Sequence, residues 1–217
     1  MGPCGGGWYR FTGRAEGDFA PASCGVEQRR SALAPGRWTW LRQVHGADVV
    51  VVEAPGAGAG TVADAAVTAV PGAVLAVTVA DCAPVALLAE GAVGVVHAGW
   101  RGLAAGVVGA ALEAMRRLGA GSSLRAVVGP CIRAHCYEFG AGDLDGLERA
   151  LGPGVRATTV AGRPALDLVE AVRLALASGG VDAWADEGRC TACSPAYWSH
   201  RAGGDPQRQA LIAGLAP

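Results

Sequence analysis

The stretch "AVTVADCAPVALLAEGAVGVVHAGWRG", residues 76–102, carries the reading of the fold. A β-branched run, Val74 to Val79, stops at Ala80-Asp81-Cys82. Val85 to Leu88, a Glu90-Gly91 turn and Val93 to Val96 then read as a β-hairpin, with a glycine bulge at Gly94. Beyond "HAGW", the residues Leu103, Val107, Ala110, Ala111, Ala114, Met115 and Leu118 recur at helical spacing, predicting one helix over Leu103 to Leu118. Gly119 to Gly121 end it, and Arg116-Arg117 near its C-terminus suit the helix dipole. Buried strands rarely end on a carboxylate, a thiol and an imidazole, so Asp81, Cys82 and His97 are either incidental polar groups of the core or parts of one site.

Working outward, a strand is expected around Trp8 to Thr12 and a short helix over Val26 to Leu33. Trp38 to Val44 and Asp48 to Val52 read as two strands joined at "HGA", which puts His45 at a strand end. "APGAGAG" (54–60) is a loop. Leu124 to Val128 is another strand, helices follow at Asp143 to Leu151 and Ala165 to Ser178, and Val181 to Ala185 returns to the sheet. No internal repeat or linker interrupts this order, which predicts a single α/β domain over residues 1–217.

The composition bounds the function. The 217 residues are 51% hydrophobic and 17% charged, enough for one well-filled core. A formal net charge of −1 gives no electrostatic reason to expect nucleic acid or an anionic membrane surface as partner. The 34 Gly and 12 Pro follow no period, which excludes a collagen-like chain. No apolar run reaches the roughly 18 residues of a membrane span. "MGPCGGGWYRF" lacks the basic start and apolar stretch of a signal peptide, so the expected setting is the cytoplasm. Seven Cys, an odd number, then favour free thiols over a disulfide framework.

His45, Cys82 and His97 all fall at strand ends, and strand ends can converge on one edge of a sheet. They are too far apart in sequence for a local zinc knuckle. Two imidazoles and one thiolate nevertheless form a three-ligand zinc set with an open fourth position, the pattern of catalytic zinc. Asp81 beside the thiol can act as acid/base or orient a ligand. A metal-free Cys82/His97 nucleophile pair oriented by Asp81 fits the same residues, as does a core role for each.

At these positions the sequence resembles one family. "LRQVHGADV", "ADAAVT", "LAVTVADCAPV", "VVHAGWRG", "VVGPCI…CYEFG", "CT" and "SHR…QRQALI" occur in the order seen in the bacterial laccase-domain proteins, also called multi-copper polyphenol oxidoreductases and regarded as zinc-dependent purine nucleoside phosphorylases. The resemblance spans about Arg37 to Leu215. It implies an α+β fold with mixed sheets between helices, and a metal held by His45, Cys82 and His97. It also implies phosphorolysis of adenosine, inosine, guanosine and methylthioadenosine to free base and pentose 1-phosphate, with deamination of adenosine at the same site. Two segments depart from the pattern. The N-terminal segment is shortened, with Arg29 where the family has Asn before the Arg that Arg30 matches. "SHRAGGDPQRQ" carries His200 and Ala202 where an aromatic residue and a second Arg are common.

Phosphorolysis needs an anion site, and Arg101, near a helix N-terminus, is the first candidate for phosphate, with Arg30 and Arg201 behind it. Gln43 shares a face with His45 on a regular strand and can reach sugar or base, or else satisfy a buried backbone group. Tyr137 and Phe139 are candidates to flank the purine, and Cys131 after "GP" to line the pocket, although all three also suit a core. Cys190 and Cys193 have C-x-x-C spacing, but Cys131 and Cys136 do not supply a matching second pair, so these thiols read as structural. Cys4, Cys24 and His135 carry no signal. An oxidase is disfavoured: four His are too few for a blue-copper centre plus a trinuclear cluster, and neither Met1 nor Met115 is placed as an axial ligand. Copper in such a site would reflect affinity. A Cys82-dependent hydrolase editing peptidoglycan precursors, and a nucleoside-binding protein without turnover, are the remaining alternatives.

Overall fold

The computed structural model describes residues 6–120 and 123–216, so Cys4 and Gly121 lie outside the described residues. Along the chain come β1 (Gly7–Phe11), α1 (Val26–Leu33), β2 (Trp38–Trp40), β3 (Val49–Val51), β4 (Ala65–Thr68), β5 (Val74–Val79), β6 (Ala83–Ala89) and β7 (Ala92–Ala98). Then follow α2 (Trp100–Ala104), α3 (Val107–Arg117), β8 (Arg125–Val128), α4 (Ala141–Leu151), β9 (Arg156–Thr158) and β10 (Pro164–Leu166). The order closes with α5 (Leu168–Ser178), β11 (Trp184–Asp186), α6 (His200–Gly203) and β12 (Gln209–Leu215).

The strands form a six-stranded sheet, β11-β8-β6-β7-β4-β3, a four-stranded sheet, β1-β12-β5-β2, and a small β9/β10 ladder. Both large sheets are mixed: β11/β8, β3/β4 and β2/β5 pair parallel, the rest antiparallel. Side chains alternate between two apolar layers. From β6, Val85 and Leu87 join Leu103, Leu112, Met115 and the other helix residues in one core. Ala86 and Leu88 join Val93 and Val95 of β7, Leu75 and Val77 of β5, and Leu211 of β12 in a second core between the sheets. The outer face of the four-stranded sheet is covered by Phe19, Ala34 and their neighbours. Because both faces of β6 and β7 are covered, every residue in them is buried and the strands read as continuous apolar runs rather than alternating ones. Each fully buried Leu or Met in these layers contributes about 1.5–3 kcal/mol relative to an exposed one.

The expected mixed α/β architecture stands, with several corrections in detail. There is no bulge at Gly94, since β6 and β7 pair without interruption from Ala83↔Ala98 to Ala89↔Ala92. A Cβ at Gly94 would lie 3.1 Å from Val67 Cγ1 and 3.4 Å from Met115 Sδ, so this glycine lets α3 lie close to the sheet. The single helix over 103–118 is two helices, broken at Gly106 with φ 89°. The break keeps Leu103 and Val107 on one face, so periodicity alone passes over it. Helix α5 starts at Leu168, not Ala165, because Asp167 caps it through the Glu170 N–H while Ala165 and Leu166 pair with β9.

The strand expected over Trp38 to Val44 ends at Trp40. It does not form a hairpin with the following strand: β2 belongs to the four-stranded sheet and β3 to the six-stranded one. The segment 41–48 crosses from one sheet to the other, and that crossing carries His45. Among the described residues no helix is long and apolar enough to cross a membrane.

Candidate functional site

The β6/β7 register places two of the expected residues together. His97 pairs with Pro84 near the end of β7, and Cys82 lies one residue before β6. By strand parity His97 follows Val93 and Val95, and Cys82 leads Ala86 and Leu88, so both sit at the rim of the layer between the sheets. Gly99 lies where a side chain would fill the space they need: its Cβ would come within 2.7 Å of His45 Cδ2 and 3.1 Å of Cys82 Sγ.

His45 arrives on the crossing segment with φ 61°, a left-handed conformation uncommon for a residue with a Cβ. Asp64 holds it there. Its Oδ1 accepts the His45 N–H at 2.9 Å, and its Oδ2 accepts those of Val44 and Gly46 at 3.1 and 2.8 Å. Oδ1 also faces His97 Nδ1 at 2.7 Å, while the His97 N–H donates to the Asp64 carbonyl at 2.7 Å. Asp64 is fully buried just before β4, which pairs with β7. One carboxylate therefore fixes two imidazoles and leaves His97 Nε2 for the site.

The ligand atoms of His45, Cys82 and His97 all lie within 4.8 Å of one another. Cys82 Sγ is 3.7 Å from His45 Nε2, and the two imidazole rings stand edge to face with centroids 4.8 Å apart. Burial pushes the Cys82 thiol up, but the His97 charge and contacts from both imidazoles outweigh it, bringing the thiol down to about 6. Burial likewise opposes the charge on His97, yet the Cys82 thiolate and the Asp64 hydrogen bond raise it to about 9. For Asp64 burial is again outweighed, by the His97 hydrogen bond and the N–H groups of Gly46 and Val44, so its carboxyl stays below the usual range.

The triad opens into a cavity of about 660 Å³ between the sheets' ends and the C-terminal segment. Trp100 and Tyr137 line it, joined through Phe139, whose ring stands edge-on to both at 5.4 and 5.2 Å. Arg42, Arg201 and Arg208 bring three cations to the same cavity, with His200 beside them. Arg201 lies over the Tyr137 ring at 5.0 Å and donates to the Glu138 carbonyl at 2.9 Å.

Other expected residues find structural uses. Gln43 lines the cavity, but its amide pairs with Thr78 like a short β-bridge, Nε2 to the Thr78 carbonyl at 2.7 Å and Oε1 from the Thr78 N–H at 2.8 Å. The Asp81 carboxylate is occupied by three donors: the Thr191 and Ser199 hydroxyls and the Arg201 N–H, each at 2.7 Å. Asp81 lines the cavity, and its carboxylate anchors the C-terminal segment against the β5–β6 turn. Asp81 itself takes φ 94° there, strain that the three bonds offset. Arg101 is exposed and lies over the Trp100 ring at 4.2 Å, beside the cavity rather than in its lining.

Besides Arg101, two further expectations are corrected. Arg30 is buried among Trp38, Trp40 and Glu27 and does not line the cavity. Cys131 is fully buried in the helix-side core, not in the pocket, and burial pushes its thiol up to about 12. Sequence reading missed Asp64, Trp100, Arg42 and Arg208. A lone carboxylate in the Ala-rich "ADAAVT" was the available sign of Asp64; the arginines carry no sign of their own.

Residues 25–216 match the family model described as multi-copper polyphenol oxidoreductase laccase. The chain belongs to this family. Among relatives of this laccase-like family, a Streptomyces griseus protein named purine nucleoside phosphorylase ORF3 is 44% identical over 199 residues, covering 87% of this chain and 80% of its own. A Mycobacterium tuberculosis purine nucleoside phosphorylase is 41% identical over 189 residues, covering 83% and 75%. The family fold recurs in the crystal structure of YlmD from Geobacillus stearothermophilus, with a TM-score of 0.79, 34% identity, and 88% and 80% of the two chains covered. Neisseria meningitidis protein NMB0706 superposes with a TM-score of 0.83 at 26% identity, covering 98% and 91%.

Proposed function

We propose that this chain is a metal-dependent purine nucleoside phosphorylase of the cytoplasm, acting on adenosine, inosine, guanosine and methylthioadenosine, and that the same site deaminates adenosine. The observation that carries the reading is the cavity of about 660 Å³, a size suited to a nucleoside, with His45, Cys82 and His97 on one side and aromatic and cationic side chains on the others. The names of the relatives support the same reaction.

The donor set fits zinc: two imidazoles and a thiol already shifted toward its ionised form, with Asp64 fixing the tautomer of His97. Copper would bind the same ligands, but among the described residues no Met stands at the site; Met115 is buried in the helix-side core. When bound, zinc supplies Lewis acidity beside the substrate. The chain does the rest. Trp100 and Tyr137 sandwich or flank the purine. Arg42, Arg201 and Arg208 bind phosphate and aim one of its oxygens at C1′ of the sugar. The C1′–N9 bond breaks as the C1′–O bond forms, the electron pair leaves with the purine, and the purine takes up the proton that the hydrogen phosphate gives up on becoming the sugar phosphate.

Chromatography of products from each of the four nucleosides, with and without phosphate, tests this reading. Free base and pentose 1-phosphate are expected only when phosphate is present, and deamination of adenosine to inosine in either case. Absence of base release from all four nucleosides in phosphate would overturn it.

A second reading rests on the Cys82–His97–Asp64 arrangement, which matches an activated thiolate, its imidazole and an orienting carboxylate. It describes a Cys82-dependent hydrolase of peptidoglycan precursors. That enzyme would work without phosphate and pass through a thioester on Cys82.

A further inference from the structure

A second group of metal-type side chains lies outside this cavity. His135, Cys136, Cys190 and Cys193 bring one imidazole and three thiols together, with all four ligand atoms within 4.8 Å of one another. None of the four lines the cavity or contributes to the His45/Cys82/His97 group. The C-x-x-C pair lacks a matching second pair in sequence because the fold completes it with two adjacent residues of a 3-10 turn, Ala134–Cys136.

We propose that His135, Cys136, Cys190 and Cys193 form a structural zinc site. A tetrahedral Cys₃His site with Zn–S bonds of about 2.3 Å has edges of about 3.5–3.8 Å. His135 Nε2 and Cys193 Sγ stand 3.5 Å apart, already an edge of that size. Four protein donors close the coordination sphere, which distinguishes this site from the open three-donor set in the cavity. The two segments that carry the donors are joined by backbone bonds: the Cys131 N–H donates to the Arg189 carbonyl at 3.3 Å, the Thr191 N–H to the Cys131 carbonyl at 3.1 Å, and Arg133 Nε to the Arg189 carbonyl at 3.3 Å. Tetrahedral coordination by thiolates and imidazole selects zinc over hard cations such as magnesium or calcium.

The placement gives the ion a task. Cys136 directly precedes Tyr137, and Cys190 directly precedes Thr191, whose hydroxyl donates to Asp81. Cys193 begins the run toward Ser199 and Arg201, which bind the same carboxylate. The same stretch is also tied by the Cys131–Cys190 bridge, by the Arg14 N–H and Nε donating to the Ala196 and Tyr197 carbonyls, and by the Gln209 amide pairing with the Trp198 backbone. Zinc here pins the two segments that carry Tyr137 and Arg201 into the cavity wall.

Metal content per chain tests the proposal, using protein produced with added Zn²⁺ and no chelator. The wild type is expected to hold about two zinc ions, Cys82→Ala about one, Cys193→Ser about one, and the double variant close to none. His135 is exposed, so His135→Ala serves as a second variant if Cys193→Ser fails to fold. Replacing zinc by Co²⁺ in the Cys82→Ala background is expected to give strong thiolate-to-cobalt charge-transfer bands. Loss of those bands in the double variant locates the ion independently of any enzymatic activity. Equal zinc content in wild type and Cys193→Ser, or a Cys190–Cys193 disulfide in protein purified without reductant, would overturn the proposal.

Discussion

Cys82→Ala is expected to lower phosphate-dependent release of hypoxanthine from inosine by roughly a thousandfold or more, about 4 kcal/mol of transition-state stabilisation at about 1.36 kcal/mol per tenfold. Cys82 is the one anionic donor in the cavity group, and the two imidazoles left behind hold zinc far more weakly. Its side chain packs at the rim between the sheets, so truncation removes little apolar contact and the fold should survive. Cys82→Ser keeps the size and replaces the soft donor by a hydroxyl that stays protonated at neutral pH, so it should remain nearly as inactive. Steady-state kinetics of both variants, beside their zinc content, check the result. Activity within tenfold of wild type in Cys82→Ala would remove the thiol from the chemistry.

Asp64→Ala should be the most damaging single change to the scaffold of the site. The carboxylate is fully buried and accepts from three backbone N–H groups and the His97 ring. Truncation leaves those donors unpaired and His97 without its counter-charge, a loss of about 3–5 kcal/mol of folding stability. It also frees the 44–46 turn, so His45 no longer holds its left-handed conformation. Asp64→Asn keeps the volume and offers one good acceptor, so it should fold better while still losing about 10–100-fold in zinc affinity through misorientation of His97. Urea unfolding of the metal-free proteins gives the first quantity and competition with a zinc chelator the second. Wild-type zinc affinity in Asp64→Asn would contradict the positioning role.

The two predictions differ in how visible their residues are in the sequence. Cys82 and His97 stand out because a thiol and an imidazole interrupt apolar runs at strand ends, and the hairpin that joins them follows from two short runs and a Glu-Gly turn. Asp64 does not stand out. Its importance comes from β4 pairing with β7 and from the 41–48 segment crossing between sheets, both long-range facts. Strand β12 is of the same kind: "QALIAGL" reads as apolar, but only its pairing with β1 and β5 makes it central to the four-stranded sheet. Arg30 and Cys131 were drawn toward the cavity by motif position, whereas burial places one among tryptophans and the other in the core. The Cys₃His group escaped because its members come from an adjacent pair and a separate C-x-x-C, a spacing no local pattern encodes.

Metal dependence of phosphorolysis bears most directly on the account. Wild type and Cys82→Ala would be stripped with a chelator, then assayed for hypoxanthine release from inosine in phosphate before and after adding Zn²⁺. The account predicts no turnover in either stripped protein, recovery in the wild type on adding zinc, and none in Cys82→Ala. Phosphate-dependent turnover that persists in the stripped wild type, or that zinc restores in Cys82→Ala, would contradict it.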